Sequence, residues 1–329
     1  MIASSIYRMK NQIALRIIAI MMTALIAFGS GAVCFAADKT ADVCRTQDEA
    51  AEVLREAMKA REESAGICLV TDVAAKDSED LIGEIFEKAL KHTGDPEEGD
   101  YLRFQYENCT ASAKPVTENG GKAVLLTYSL SYYDDAEQEA AVDEKVEEII
   151  GSLGLDGMDD AEKTDAIYNY IIDNVEYDYD NLADDDYELK RTAYAALIDG
   201  KAVCQGYSAA FYRLLLAAGV DNRIIFGTGI NSSGESEDHT WNIVRIGDVY
   251  YNTDVTRDDE LGENRYFLKA EDPFGDDHIR SEEYLTEEFA SSYEISKTDY
   301  GKSGISILDH IGAAALEFKK LFQRLIKSL

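Results

Sequence analysis

The chain has 329 residues, 46% hydrophobic and 29% charged, with only 3 Pro; this composition is globular and excludes wholesale disorder, collagen-like repeats and a polytopic membrane protein. Asp and Glu number 64 against 32 Lys and Arg, for a formal charge of −32, the opposite of the clustered Lys/Arg that a phosphate backbone requires, so nucleic acid is not an expected partner. At roughly 100 to 200 residues per domain, the length predicts two compact units.

Residues 1–37 read as an export signal: Arg8, Lys10 and Arg16 form a basic start, Ile17 to Gly29 is apolar, and Ser30 to Ala37 is rich in small residues. Cleavage after Ala36 or Ala37 is expected. Retention as an N-terminal membrane anchor is the alternative, because the uncharged run from Ile17 to Ala37, at ~1.5 Å per residue, is long enough to cross a bilayer. Val33 in front of Cys34 argues against lipid attachment, which wants a small residue there. A secreted or cell-surface location follows, with this segment as the one expected membrane contact; its removal would take the charge from −32 to −35. Cys44, Cys68, Cys109 and Cys204 remain, without a CxxC or a dense framework, so stability cannot rest mainly on disulfides.

Residues 38–150 are expected to form a small α+β domain closed by a linker helix. Thr46 and Glu49 make a capping box before Ala50, Val53, Leu54, Ala57 and Met58, which share a helical face. The run 67–70 (ICLV) predicts a strand, and Leu81, Ile82, Ile85, Phe86, Ala89 and Leu90 a second helix closed by Gly94. The segments 101–107 (YLRFQYE) and 122–133 predict two strands, separated by Pro115 and the turn Asn119-Gly120-Gly121. An acidic helix from Asp135 to Ile150 then leads to the loop 154–160.

A second domain is expected over 151–300. Ile167, Tyr170, Ile171 and Val175 lie on one helix, followed by an acidic loop, 178–188. Its spaced carboxylates suit calcium, but it lacks the central Gly and closing Glu of an EF-hand, and a solvated loop is the simpler expectation. Residues 301–329 predict an amphipathic helix with a basic end, docking on its own domain, or on a membrane surface or partner groove.

The chemistry concentrates in two stretches. In 200–220, Tyr207, Ala210, Phe211, Leu214, Leu215 and Ala218 recur at helical spacing and predict a helix with one buried face. Cys204 falls at its N-terminus, where unpaired N–H groups and the positive end of the macrodipole favour a thiolate; Gly206 beside it allows close backbone approach. Alone, such a cysteine reads more simply as a small buried residue. The second stretch shifts the balance. HTWNIVRI (239–246) and VYYNTD (249–254) read as a hairpin about Gly247-Asp248, a register that pairs Ile246 with Val249 and Val244 with Tyr251. Alternation then puts His239, Trp241 and Asp254 on one face, with His239 diagonal to Asp254 at roughly 7–8 Å between backbones, while Asn242 points away.

The result is a Cys204–His239–Asp254 triad: a thiol nucleophile, a base that later protonates the leaving group, and a carboxylate that fixes the imidazole tautomer. The Cys204 N–H and one further donor would stabilise the oxyanion, with Tyr194, Gln205 and Trp241 as candidates. Trp241 reads equally as a shield for the triad and as a core aromatic.

The blocks GKAVCQGYSAAF, HTWN, VYYNTDVTRDD and YFLKAEDPFGDDH, in this order from about Asp160 to His278, resemble the transglutaminase-like superfamily of exported bacterial proteins. The resemblance implies an α+β papain-like core, with the Cys helix packed on an antiparallel sheet and Cys204, His239 and Asp254 in the catalytic positions. Two positions depart from the family pattern: Arg257, where Trp is common, and Tyr168, where His is frequent. Neither touches the expected triad, but Arg257 would alter the groove wall and hence substrate preference.

The rivals are weaker. Zinc on Cys204 and His239 lacks further ligands, since His92, His278 and His310 show no ligand spacing. Gly227-Thr228-Gly229 reads as a strand turn rather than a dinucleotide loop, and paired carboxylates for glycoside hydrolysis arise by chance in so acidic a chain. A non-catalytic cell-surface adhesion module is the alternative from another class. The expectation is an exported cysteine enzyme acting on amide bonds of peptides or proteins at the cell surface, hydrolysis ahead of amine acyl transfer, with no cofactor and no metal.

Overall fold

The computed structural model describes residues 41–72, 78–231, 234–262 and 264–301. The export signal at 1–37 and the C-terminal amphipathic helix expected after Ile305 lie outside the described residues. Among the described residues no helix is long and apolar enough to cross a membrane.

The first unit is a four-stranded sheet with two helices on one face. Strands β1 (Asp42–Cys44), β2 (Ser64–Val70), β3 (Tyr106–Glu118) and β4 (Gly121–Tyr132) are ordered β1-β2-β4-β3, with only β1 and β2 parallel. Helices α1 (Gln47–Lys59) and α2 (Ser78–Ala89) bring Leu54, Met58, Ile82 and Phe86 into one cluster with Ile67, Leu69, Leu126 and Tyr128. Thr46 caps α1 by accepting the Glu49 N–H at 3.1 Å. The Glu49 carboxylate takes the Arg45 N–H at 2.6 Å, one residue before the position a capping box would use.

Two local expectations fail here. The segment 101–107 is not a strand: it opens as helix α3 (Asp100–Gln105) and joins β3 only at Tyr106. The buried Asp100 decides this by accepting the Arg223 guanidinium at 2.6 and 2.8 Å and the Ile224 N–H at 2.9 Å. Arg223 lies 123 residues further on, beyond the reach of any local pattern. Nor does Pro115 separate strands, since it pairs opposite Val124 inside β3. As β3 is an edge strand, its missing N–H is tolerated.

Helix α4 (Ala136–Leu153) follows, with a full capping box between Asp135 and Gln138, and then α5 (Asp160–Asn174), with another between Asp159 and Glu162. The sequence reading makes α4 a connection. In the structure its Val142, Val146 and Ile149 join the large core that holds the α5 residues Ile167 and Ile171. Two short strands, β5 (Glu176–Tyr177) and β6 (Lys201–Ala202), pair in parallel ahead of α6 (Cys204–Ala217), around which that core is built. Helix α6 packs on a further sheet of β7 (Asn222–Ile230), β8 (Ser236–Ile246), β9 (Val249–Thr253) and β10 (His278–Arg280), ordered β10-β7-β8-β9 and antiparallel throughout. This is the α+β arrangement of a Cys helix on an antiparallel sheet.

Helix α6 was expected to bury one face, yet every residue from Gly206 to Leu216 is buried. Its second face is covered from the N-terminal side. Arg213 Nη1 donates to Glu139 at 2.6 Å and its Nη2 to Asp143. Glu139 also accepts from Arg61 at 2.6 Å and from the Tyr101 hydroxyl at 2.7 Å, while Arg61 reaches Asp134 at 2.8 Å. Tyr212 donates to the Glu98 carbonyl and meets His92 Nδ1 at 3.0 Å. A buried charge cluster of this kind tolerates no missing member, because an uncompensated charge costs roughly 3–5 kcal/mol.

Candidate active site

Cys204 opens α6. Its cap residue, Val203, supplies no side-chain acceptor, so no side chain competes for the N–H groups of the first turn. The helix comes close enough to its neighbours that a Cβ at Gly206 would lie 2.7 Å from Ala202 Cβ and 2.8 Å from the Thr192 carbonyl oxygen, which explains the glycine.

The hairpin takes the expected register, with Ile246 opposite Val249 and Val244 opposite Tyr251, and Gly247 at φ +65° in the turn. Asp254 follows β9 directly and caps α7 (Val255–Leu261), its Oδ1 accepting the Arg257 N–H at 3.0 Å. Its Oδ2 accepts the His239 Nε2–H at 2.6 Å. The other ring nitrogen is left for the Cys204 sulfur, with which His239 is hydrogen-bonded. Asn242 points away as expected, donating to the Ser208 carbonyl and to Asn222, each at 3.2 Å.

The electrostatics follow from these partners. Burial alone would push the Cys204 thiol up; the hydrogen bond and charge of His239, with the Thr240 N–H and hydroxyl, outweigh it and lower the pKa. Burial would likewise lower His239, but the Asp254 carboxylate, and after it Cys204, raise it to about 10. Asp254 is itself buried, yet the adjacent His239, with a further hydrogen bond from His278, holds it well below the usual carboxylate range. The arrangement suits a thiolate–imidazolium pair.

The three oxyanion candidates are placed differently. Gln205 spends an amide N–H on the Phe104 carbonyl at 2.6 Å. Trp241 is buried in a cluster with Ile225, Ile243 and Phe274, stacked near His239 at a ring distance of 6.2 Å, and among the described residues its indole N–H has no partner. Tyr194 is half-buried against the large core, directly before the helical turn Ala195–Asp199.

Four further residues bear on the site: Thr240, which the sequence reading does not single out, His278, which shows no ligand spacing along the chain, and Arg257 and Tyr168, the two departures from the family pattern. Thr240, next to His239 on β8, donates to the Cys204 sulfur and accepts the Ser208 hydroxyl at 3.2 Å. His278 Nε2 lies 2.8 Å from Asp254 Oδ2. Arg257 donates to Glu237 at 2.5 Å and to Glu260 at 3.2 Å, and lies within 3.1 Å of where a Cβ at Gly229 would stand. Tyr168 donates to the buried Asp258, which also accepts the backbone N–H groups of Arg265 and Tyr266. The segment Gly227-Thr228-Gly229 forms no turn; it continues β7, and a Cβ at Gly227 would meet the Ile279 carbonyl oxygen at 2.2 Å.

Among the described residues, His239, Asp254 and His278 alone could converge on a metal ion, their ligand atoms lying within 4.8 Å of one another. They already satisfy one another through a single carboxylate oxygen, and Cys204 is not in the group. His92 bridges Tyr212 and Asp221 instead, and His310 lies outside the described residues. In the acidic loop, the Lys190 ammonium sits among carbonyls, donating to Asn181 at 2.8 Å and to Asp184, so a covalently attached cation organises it. Among the described residues no disulfide joins Cys44, Cys68, Cys109 or Cys204.

Residues 152–255 match the family model described as the transglutaminase-like superfamily. No curated protein matches the chain. Among solved structures, one described as a TGase is 15% identical over 67% of this chain and 59% of its own, at a TM-score of 0.32. A protein from Cytophaga hutchinsonii, described provisionally as a cysteine protease, is 16% identical over 46% of this chain and 66% of its own, at 0.29. A third, from Parabacteroides distasonis and described provisionally as a protease, is 12% identical over 44% and 39%, at 0.23. The chain thus spans less than two thirds of the length of each.

Proposed function

We propose, from the match of residues 152–255 to the transglutaminase-like superfamily model, that the protein is a cysteine enzyme that cleaves amide bonds of peptides or proteins through a thioester on Cys204. The observation that carries this reading is the lowered Cys204 thiol at a helix N-terminus, hydrogen-bonded to an imidazole that Asp254 holds at 2.6 Å. The Cys204 thiolate attacks the carbonyl carbon, and the developing oxyanion meets the Cys204 N–H, since the Gly206 and Tyr207 N–H groups of the same turn donate to the Val203 carbonyl. His239 passes its proton to the departing nitrogen as the C–N bond breaks, leaving a thioester. Water then attacks; His239 takes its proton, the acid departs and the sulfur is restored. Asp254 stays ionised throughout and stabilises the imidazolium.

Hydrolysis is favoured over transfer to an amine because an enzyme acting outside the cell meets water first, and the basic-apolar segment 1–37 supports that location. The full chain is incubated with p-nitrophenyl acetate and with a glutamine-containing peptide, with and without dansylcadaverine. A nitrophenolate burst, lost in Cys204→Ala, with deamidation or cleavage of the peptide, is expected. Incorporation of the amine in preference to water would replace hydrolysis by acyl transfer. No burst and no peptide product would leave the adhesion module.

A further inference from the structure

The mechanism above makes no use of His278, yet its side chain is 1% exposed and each ring nitrogen meets a carboxylate, Nε2 at 2.8 Å from Asp254 Oδ2 and Nδ1 at 2.8 Å from Asp277 Oδ1. The ring is stacked on Phe274 at 4.0 Å, with Tyr266 edge-on at 5.0 Å and Trp241 at 5.1 Å. Strand β10 carries it, pairing His278 with Gly229, and Gly227 has no side chain to push that strand away. Asp277 is fixed in turn by the Tyr266 hydroxyl at 2.6 Å. The Asp254 oxygen that serves His239 therefore accepts two imidazoles, at 2.6 and 2.8 Å.

We propose that His278 is a positioning residue for the catalytic carboxylate: by donating to Asp254 Oδ2 it locks the orientation in which that oxygen serves His239. The inference rests on the function proposed above. A rotation of the Asp254 carboxylate that would break the His239 contact must also break the His278 contact, so the two donors hold each other's acceptor in place. Without His278, Oδ2 depends on His239 alone, while Oδ1 keeps the Arg257 N–H. The carboxylate then turns more freely and takes up a proton more readily, and the imidazolium beside Cys204 loses support. The charged and titratable groups facing this trio are Cys204 beside His239, Arg257, Asp258 and Tyr168 near Asp254, and Asp277 and Tyr266 around His278.

The test follows alkylation of Cys204 by iodoacetamide in the full chain, by intact mass across the acid range, with the melting temperature as a control for folding. His278→Phe keeps an aromatic ring in the box and removes the donor; His278→Gln restores an N–H near Nε2. The acid limb of the Phe variant is expected to move up by about one pH unit, lowering the rate below the limb about tenfold, and the Gln variant to recover most of it. An unchanged limb in the Phe variant, or equal shifts in both, would mean that His278 only packs. If the Phe variant does not fold, Asp277→Ala, which frees the ring from its second anchor, is expected to shift the limb the same way by less, and no shift overturns the proposal. A wild-type protein whose Cys204 is alkylated no faster than an ordinary thiol overturns the proposed function, and this inference with it; a normal wild-type limb with an unmoved variant overturns this inference alone.

Discussion

Cys109 and Cys204 are both free thiols, Cys109 buried and Cys204 half-buried, and their chemistry diverges. Cys109 lies on β3 opposite Leu130, in the apolar cluster under α1 and α2, and burial alone pushes its thiol up to about 12. Desolvation raises Cys204 too, but it faces His239 and Thr240, and its thiol is lowered. Burial thus sets no reactivity by itself. The sign of the shift depends on whether donors and a cation compensate the lost water.

The largest effect that would break this comparison is loss of the carboxylate. Asp254→Asn is expected to lower the p-nitrophenyl acetate burst rate by about 10³- to 10⁴-fold with the fold retained, as for other triads that lose the correct tautomer; a loss below tenfold would remove Asp254 from the machinery. Next comes Arg213→Met on the covered face of α6. It removes one of the two cations on the buried Glu139, which keeps Arg61 and the Tyr101 hydroxyl, and should cost up to roughly 3–5 kcal/mol in urea denaturation, whereas a neutral result would show that the charge cluster relaxes.

The pH dependence sharpens the comparison further. His239 is raised from its ordinary 6.5 to about 10, so the stability it contributes is fully present below about 6.5 and is lost as pH rises through 10. Asp254 is depressed, so its contribution is present above the ordinary carboxylate range and is lost as pH falls well below it. Thermal melts of wild type and His239→Gln should therefore differ most between about pH 5 and 7 and converge above 10; parallel curves would contradict the ion pair. Thr240→Val removes the hydroxyl donor but keeps the N–H, and should raise the acid limb of Cys204 alkylation by less than about one pH unit. The smallest effect belongs to the contrasting thiol. Cys109→Ser buries a hydroxyl at roughly 1–3 kcal/mol, with alkylation at Cys204 unchanged.

Legibility followed the range of the forces. The pairing of His239 with Asp254 was readable because a two-residue turn at Gly247-Asp248 sets the register of the whole hairpin and brings these two together 15 residues apart. The helix caps at Asp135 and Asp159 were equally local. Helix α3 was misread because its alternating pattern fits either period, and the tie is broken by Asp100 reaching Arg223 and Ile224 in β7. No spacing along the chain marks His278, because its approach to Asp254 is set by β10 pairing across to β7. Thr240 escaped because part of its contribution is a backbone N–H, which no side-chain motif records.

Residue identity and short-range geometry alone therefore determined the helix that Cys204 opens, the hairpin and the pairing of His239 with Asp254, because periodicity, turn chemistry and capping act over a few residues. Only the tertiary structure decided that α6 is buried on both faces, that the N-terminal unit clamps it through Arg61, Glu139 and Arg213, and that a second imidazole reaches Asp254. Those outcomes depend on desolvated charges finding partners far along the chain. Such pairings are settled by the packing of whole elements rather than by any local pattern.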